Sequence, residues 1–174
     1  IKNYILNNPE VIIQSLQNFE KKKEDEKKIE NSKNIDSLKN EIFDSESLYE
    51  GVKSSNRVIV EFFDYNCSYC KRAHLDLKKI LKENDDVKVI YKNFPILSEN
   101  SLELAKYAVA ISEIDQNKFI KFHNFILKNK GQINKEILSN LMDDLGIDKD
   151  NIQERMKNEE ISLKLKNDYD LANN

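Results

Sequence analysis

The residues whose types and spacing could do chemistry are Cys67 and Cys70, which form a Cys-x-x-Cys motif. The motif follows a β-branched and aromatic run at residues 57–63 and opens a helical pattern that begins at Ser68. Asn66 is predicted to cap this helix and to place Cys67 in its first turn, where free backbone N–H groups and the helix dipole stabilise a thiolate. Cys70, three residues on, faces the same side and is placed to attack a mixed disulfide at Cys67.

Two other interpretations of the motif remain open. The first is a zinc site with Cys67, Cys70, His74 and His123 as ligands, although the two histidines lack the spacing of a zinc finger. The second is a pair of inert thiols. A Cys-x-x-Cys beside a strand–helix–strand pattern favours redox activity over both. His74 is expected to be a polar rim residue, and a structural role is favoured for His123.

Glu61 is the third candidate for chemistry. It is the one charged residue within the apolar run at 58–63, which predicts a strand buried on both faces. Burial of a carboxylate raises its pKa, so Glu61 is expected to exchange protons near neutral pH beside the cysteines. The alternative is that Glu61 lies at a sheet edge and reaches water.

A βαβ unit must position these residues. The patterns predict strands at 57–63 and 87–91 with a helix at 68–83 between them, and the crossover should be right-handed. After Pro95 only helices are predicted, and glycines end two of them. The four helices are expected at 101–114, 118–128, 135–145 and 152–171.

The first 34 residues have a different character. A helix is predicted to begin at Asn8-Pro9-Glu10 and to carry the apolar stripe Ile12, Leu16 and Phe19. Residues 20–34 are almost entirely polar and charged, which indicates either a solvated helix or a flexible linker. Whether the stripe packs on its own domain or mediates self-association is left open by its spacing.

Composition excludes some classes of function. The 174 residues carry a net charge of −3, without the basic balance of most nucleic-acid-binding domains. The sequence contains no run of apolar residues that approaches the length of a membrane span. Because the chain starts at Ile1 without a basic and apolar leader, it is expected to be a mature form or a fragment.

Two segments carry a resemblance to a known family. They are residues 61–73 (EFFDYNCSYCKRA) and 91–97 (YKNFPIL). The first resembles the active-site strand and helix of the DsbA-like thiol:disulfide oxidoreductases, and the second is similar to their next strand and its exit loop. The resemblance implies an α/β fold of the thioredoxin type with an inserted α-helical domain, here preceded by an N-terminal helical extension.

The resemblance also implies roles and partners. Cys67 would be the attacking cysteine, Cys70 the resolving cysteine and Glu61 the buried acid. The Cys67–Cys70 disulfide would be the redox group, with no cofactor or metal. Protein substrates with thiols or disulfides and a membrane-bound or soluble redox partner would be expected, without nucleic acid. A bacterial periplasmic or exported location is implied, and the N-terminal helix resembles a stalk used for homo-oligomerisation.

Two departures from the family pattern affect these expectations. The dipeptide between the cysteines is Ser68-Tyr69, which favours a potential less oxidising than the roughly −120 mV of DsbA. The chain also stops at Asn174, where the family continues into a cis-proline loop and further strands, so a C-terminal truncation is expected.

The expected organisation is therefore an N-terminal segment at 1–34, the first part of the thioredoxin-like domain at 35–97 and helices at 98–174 that bury a core of their own. The rival hypothesis is a non-catalytic exported interaction module with an inactive or metal-binding motif.

Overall fold

The structure, a computed structural model, describes residues 1–44 and 47–174. Ser45 and Glu46, within the predicted 35–97 segment, lie outside the described residues. The chain divides into two compact units, Ile1–Ile42 and Phe43–Asn174. The division falls later than residue 34 because the charged segment continues as a helix through residue 37. No helix among the described residues is long and apolar enough to cross a membrane.

The first unit consists of helices α1 (Lys2–Asn7), α2 (Glu10–Ser37) and α3 (Lys39–Ile42). The charged stretch is thus a helix rather than a linker, and α2 buries none of its residues. Ion pairs one turn apart support it, such as the 2.8 Å contact between Lys28 and Glu24. The helix begins within the predicted Asn8-Pro9-Glu10 segment; its N-cap is Pro9, and no side chain caps it.

The apolar stripe of α2 is about half exposed, at 49% for Ile12, 57% for Leu16 and 56% for Phe19. Its side chains are spaced along one face, while the mixed Lys and Glu residues that follow are solvated. None of the three side chains is buried, so α2 has an exposed apolar stripe.

The second unit contains a small sheet and a larger set of helices. Its elements in chain order are β1 (Leu48–Gly51), β2 (Arg57–Phe63), α4 (Ser68–Glu83), β3 (Val87–Asn93), α5 (Glu99–Ile114), α6 (Gln116–Lys128), α7 (Lys135–Asp144), α8 (Lys149–Arg155) and α9 (Glu159–Asn173). The prediction of one helix at 152–171 is wrong. The helix is broken because Asn158 starts a new one, its side chain accepting the Glu160 N–H at 3.0 Å.

The sheet has the order β1-β3-β2. Strand β2 runs parallel to β3, with Arg57 opposite Val87, as expected for a βαβ unit. Strand β1, which was not predicted, pairs antiparallel with β3, Leu48 lying opposite Tyr91.

The prediction that β2 is buried on both faces is wrong. The central strand is β3, and all seven of its residues are buried, whereas most of β2 is only partly buried. The reason is the order of the sheet, which leaves β2 with one partner strand among the described residues.

The sheet and the helices share a single hydrophobic core. Phe63 and Tyr91 from the strands belong to the same cluster as Leu104, Phe119 and Phe122 from α5 and α6. The expectation that the helices bury a separate core is therefore wrong. The aromatic side chains reach across from the strands, as in the edge-to-face contact of Tyr91 with Phe119 at 6.3 Å between ring centroids.

Gly51→Ala is predicted to destabilise the protein by about 2 kcal/mol or more. Gly51 ends β1 with φ of +93°, and an added Cβ would collide with the Val87 carbonyl oxygen and the Leu81 side chain. Urea denaturation at equilibrium measures the loss. Gly131→Ala is the matched control, since its nearest neighbour would be Asn129 Oδ1 at 3.5 Å. Equal stability of the two variants would contradict the prediction.

Candidate active site

Cys67 is the N-cap residue of α4, so the prediction that Asn66 caps the helix is wrong. The Cys67 sulfur itself accepts the backbone N–H of Cys70 at 3.4 Å. The Cys67 N–H in turn donates to the Asp64 carbonyl at 3.0 Å, and the Cys67 carbonyl accepts the Lys71 N–H at 3.0 Å. The sulfur thus lies at the positive end of the helix dipole with a backbone N–H directed at it.

Asn66 has a different role from the one predicted. Its side-chain amide donates to Ser98 Oγ at 3.1 Å, to Asn100 Oδ1 at 3.1 Å and to Ser101 Oγ at 2.9 Å. These three residues lie at and just after the start of α5, whose own N-cap is Ser98. Asn66 therefore ties the residue before Cys67 to the helical part of the unit.

Cys70 lies one turn into α4 and is partly buried, packed against the core. The pKa of the Cys70 thiol is raised to about 12, mainly by burial and in part by the nearby Cys67 and Glu61. The backbone N–H of Asp64 acts in the opposite direction. Cys70 is thus held as a neutral thiol, and it must lose its proton to another group before it can attack.

Glu61 lies on β2, at the edge of the sheet, but its side chain is largely shielded from water. Burial raises the pKa of Glu61 from 4.5 to about 7. The Oε2 atom is buried and has no hydrogen-bond partner among the described residues. The two alternatives for Glu61 are therefore both partly right: the strand is at the edge, and the carboxyl group is nevertheless desolvated.

The two histidines meet in the core, although they are distant in sequence. Their rings lie 5.4 Å apart between centroids, and neither residue is exposed. The expectation that His74 is a rim residue is therefore wrong. His123 Nδ1 is hydrogen-bonded to the Tyr65 hydroxyl at 3.1 Å, which agrees with its predicted structural role. Burial lowers the pKa of His74 to about 4 and that of His123 well below its usual value.

The donor set for a zinc site does not come together. In the part of the chain that the structure describes, no three His, Cys, Asp or Glu side chains are grouped as ligands of a metal ion. His123 instead packs against aromatic side chains, with 4.1 Å between the ring centroids of Tyr91 and His123, and His74 packs against His123.

Lys71 and Arg72 follow Cys70, and only the first of them contacts another element of the described part of the structure through its charged group. The Lys71 ammonium donates to the Asn129 carbonyl at 2.8 Å, at the end of α6, and partial burial lowers its pKa. Arg72 is exposed. The Lys71 ammonium is therefore directed at the end of α6, and the positive end of the α4 dipole is the positive charge that lies at Cys67.

Sequence analysis missed Asp64, which directly follows β2 and is only 5% exposed. Its carboxylate accepts the backbone N–H groups of Asn66, Ile96 and Leu97. Part of this role has a local signal, because an Asp whose side chain accepts the backbone N–H two residues later is typical of an Asx turn. The contacts with Ile96 and Leu97 join residues more than 30 positions apart, so no local sequence pattern predicts them.

A Cys-x-x-Cys at the junction of a strand and a helix, in a mixed sheet backed by helices, defines a thioredoxin-like fold. Residues 58–174 match the family described as the DSBA-like thioredoxin domain. That match covers more than half of the chain, and the chain therefore belongs to the DsbA-like thioredoxin family. Residues 1–26 match the family described as the copper resistance protein ScsC N-terminal domain.

Solved structures agree with this assignment. The thiol-disulfide exchange protein alpha-DsbA2 from Wolbachia pipientis is 31% identical with a TM-score of 0.75, over 81% of this chain and 76% of that one. The catalytic domain of ScsC from Proteus mirabilis is 25% identical with a TM-score of 0.71, over 81% of this chain and 78% of that one.

The matches to sequence relatives cover a smaller share of each relative's length. A protein of Rickettsia prowazekii named for protein-disulfide oxidoreductase activity is 31% identical over 91 residues, which is 50% of this chain and 32% of that protein. The chain spans between 19% and 33% of the length of the curated relatives it matches.

Glu61→Gln is predicted to stabilise the protein progressively as the pH rises. Between pH 4.5 and about 7 the folded state keeps the Glu61 proton that the unfolded state has lost. The stability that neutral Glu61 contributes is therefore complete below pH 4.5 and is lost as the pH rises through 7. Gln stays neutral throughout, so the variant should gain about 2–3 kcal/mol over the wild type between pH 4.5 and 8.

Urea denaturation at pH 4.5 and pH 8 measures this difference. The effect of the histidines cancels, because both proteins contain them. Glu83→Gln, at the exposed end of α4, is the control and should change little with pH. A stability difference between wild type and Glu61→Gln that does not vary with pH would contradict the prediction.

Proposed function

We propose that this protein is a thiol:disulfide oxidoreductase that exchanges disulfides with exported protein substrates through Cys67 and Cys70. The observation that carries the proposal is the asymmetry of the two thiols. The sulfur of Cys67 accepts a backbone N–H at the start of α4, whereas Cys70 is desolvated and has a pKa raised to about 12. One thiol is thus equipped to attack or be attacked, and the other to resolve the mixed disulfide.

In the oxidising direction, a substrate thiolate attacks the Cys67 sulfur of the Cys67–Cys70 disulfide. The bond between the two sulfurs breaks, and Cys70 leaves with the electron pair and takes up a proton. A second substrate thiolate then attacks the substrate sulfur of the mixed disulfide, and Cys67 leaves as a thiolate. The substrate loses two electrons and the protein gains them as a dithiol. The reverse sequence of steps reduces a substrate disulfide.

Glu61 supplies and receives the proton of Cys70. A buried Cys70 thiolate is a poor leaving group, and neutral Glu61 can donate to it as the disulfide opens. In the reverse direction, the Glu61 carboxylate removes the Cys70 proton. A pKa of about 7 gives Glu61 both forms at neutral pH, which general acid–base catalysis requires.

The proposal also covers the redox group, the redox partner and the location of the protein. The redox group is the cysteine pair itself, so no metal or organic cofactor takes part. A membrane-bound or soluble redox partner resets the pair after each cycle. The location is the bacterial periplasm or exterior, where disulfides persist. The similar structures include a periplasmic thioredoxin-like protein from Salmonella enterica serovar Typhimurium, 24% identical, which is a likeness of fold.

Self-association through the N-terminal helix is a further part of the proposal. The support is the exposed stripe of Ile12, Leu16 and Phe19 and the match of residues 1–26 to the ScsC N-terminal domain. A second copy of this chain presents a stripe of the same spacing, so two copies can bury their stripes against each other.

Cys67→Ser is predicted to abolish disulfide exchange with a reduced or oxidised substrate, because the sulfur that carries the mixed disulfide is lost. Cys70→Ser should instead accumulate a mixed disulfide between Cys67 and substrate, because the resolving thiol is lost. Non-reducing electrophoresis with intact-mass measurement detects the adduct.

Equal trapping by the two serine variants would show that the roles of the cysteines are wrongly assigned. Two thiols that react with neither substrate thiols nor substrate disulfides would instead support the non-catalytic interaction module.

Glu61→Gln is predicted to slow resolution by Cys70 about tenfold or more, because the proton acceptor is lost. The inflection near pH 7 in the wild-type rate should disappear with it. Stopped-flow measurement of mixed-disulfide decay against pH tests both. Glu83→Gln should keep the wild-type profile, and an unchanged inflection in Glu61→Gln would exclude Glu61 as the proton-transfer group.

A further inference from the structure

Two segments of the second unit run side by side at the cysteine pair. Residues 63–66 lead from β2 to Cys67, and residues 94–98 leave β3 toward α5. They are linked by the Phe94 N–H donating to the Phe63 carbonyl at 2.8 Å and by the Asn66 amide donating to Ser98 Oγ at 3.1 Å. The residues immediately before Cys67 therefore have a fixed neighbour in the exit loop of β3.

Asp64 makes the central links between these segments. Its Oδ1 accepts the Asn66 N–H at 2.8 Å, and its Oδ2 accepts the N–H groups of Ile96 at 2.9 Å and Leu97 at 3.0 Å. Its carbonyl accepts the Cys67 N–H at 3.0 Å. A buried carboxylate is tolerated only where donors replace water, so these contacts constrain both segments at once.

The loop that Asp64 holds presents apolar side chains to solvent. Ile96 is 55% exposed and Leu97 is 56% exposed, while their backbone N–H groups are bound to Asp64. Tyr69, between the two cysteines, is 81% exposed. Asp64 links the backbone of Ile96 and Leu97 to the backbone of Cys67, so these exposed side chains lie close to the cysteine that would carry a mixed disulfide. An apolar surface held rigidly binds apolar side chains at a lower entropic cost.

We propose that Asp64 is a positioning residue for disulfide exchange, holding Ile96 and Leu97 beside Cys67 to receive apolar side chains that flank the substrate cysteine. The inference rests on the proposed exchange function and adds what the substrate must carry next to its cysteine. Asp64 does not touch the reacting sulfur atoms through its side chain. Its effect depends on the size and polarity of the thiol that approaches Cys67.

Asp64→Asn is the test variant in the full-length protein. Asn has one acceptor oxygen, and its NH₂ group would face a backbone N–H, so one of the two links of Asp64 must break. The measurement is the rate at which the oxidised Cys67–Cys70 pair is reduced by a short peptide with leucines on both sides of its cysteine. The same rate is measured with glutathione, which attacks the same sulfur without apolar flanks.

The expected result is that the ratio of the peptide rate to the glutathione rate falls at least fivefold in Asp64→Asn. Asp76→Asn is the control, since it makes the same charge change on the exposed face of α4, and it should keep the wild-type ratio. An Asp64→Asn ratio equal to that of the wild type, whether both rates fall together or neither falls, would overturn the inference.

A second variant keeps the test valid if Asp64→Asn does not fold. The double variant Ile96→Ser, Leu97→Ser leaves Asp64 and its backbone contacts in place and should lower the same ratio at least fivefold; an unchanged ratio overturns the inference.

Failure of the proposed function has a different signature. If the wild-type cysteine pair reacts with neither the peptide nor glutathione, both the proposed exchange function and the inference are contradicted. If the wild-type pair reacts with both, but the leucine-flanked peptide reacts no faster than a serine-flanked peptide, the inference alone is overturned.

Discussion

The backbone N–H of Cys70 is directed at the sulfur of Cys67, and the rest of the site depends on this contact. It exists because Cys67 is the N-cap of α4, so that a free N–H group of the first turn is directed at its side chain. The Asp64 carbonyl fixes the Cys67 N–H from the strand side, and the Lys71 N–H fixes the Cys67 carbonyl from the helix side. The backbone thus directs a donor at Cys67, while the packing around Cys70 desolvates the second thiol.

Desolvation shifts the pKa values of the titratable groups buried near the cysteines. It raises the pKa of Glu61 and Cys70 and lowers the pKa of His74 and His123, so in each case burial favours the neutral form. The interior next to the cysteines therefore contains groups that can exchange protons but carry little charge. Only Glu61 has its pKa near neutrality, which makes it the one group among these four that can transfer a proton without a large energetic cost.

The sequence predicted the elements that are specified locally. The β-branched run at residues 57–63 and the helix at 68–83 have the predicted bounds, because strand propensity and helical spacing are properties of the segments themselves. Strand β1 could not be predicted, since its four residues are held only by pairing with β3. Whether β2 or β3 is central is likewise a property of the whole sheet.

The candidate site divides in the same way. Cys67, Cys70 and Glu61 were proposed as candidates from spacing and from one charge in an apolar strand. The contact of His74 with His123 and the contacts of Asn66 and Asp64 with the loop after β3 join distant parts of the chain. No spacing in the sequence encodes them.

The shared core has a consequence for how this protein can be taken apart or recombined. Tyr65, two residues before Cys67, packs edge-to-face on Phe122 of α6, with 5.9 Å between ring centroids, and is hydrogen-bonded to His123. Helix α6 thus packs directly behind the segment that carries the cysteines. Grafting the strand–turn–helix segment alone into another thioredoxin scaffold would transfer the cysteines without these contacts. A graft that keeps them must also include β3, its exit loop, α5 and α6.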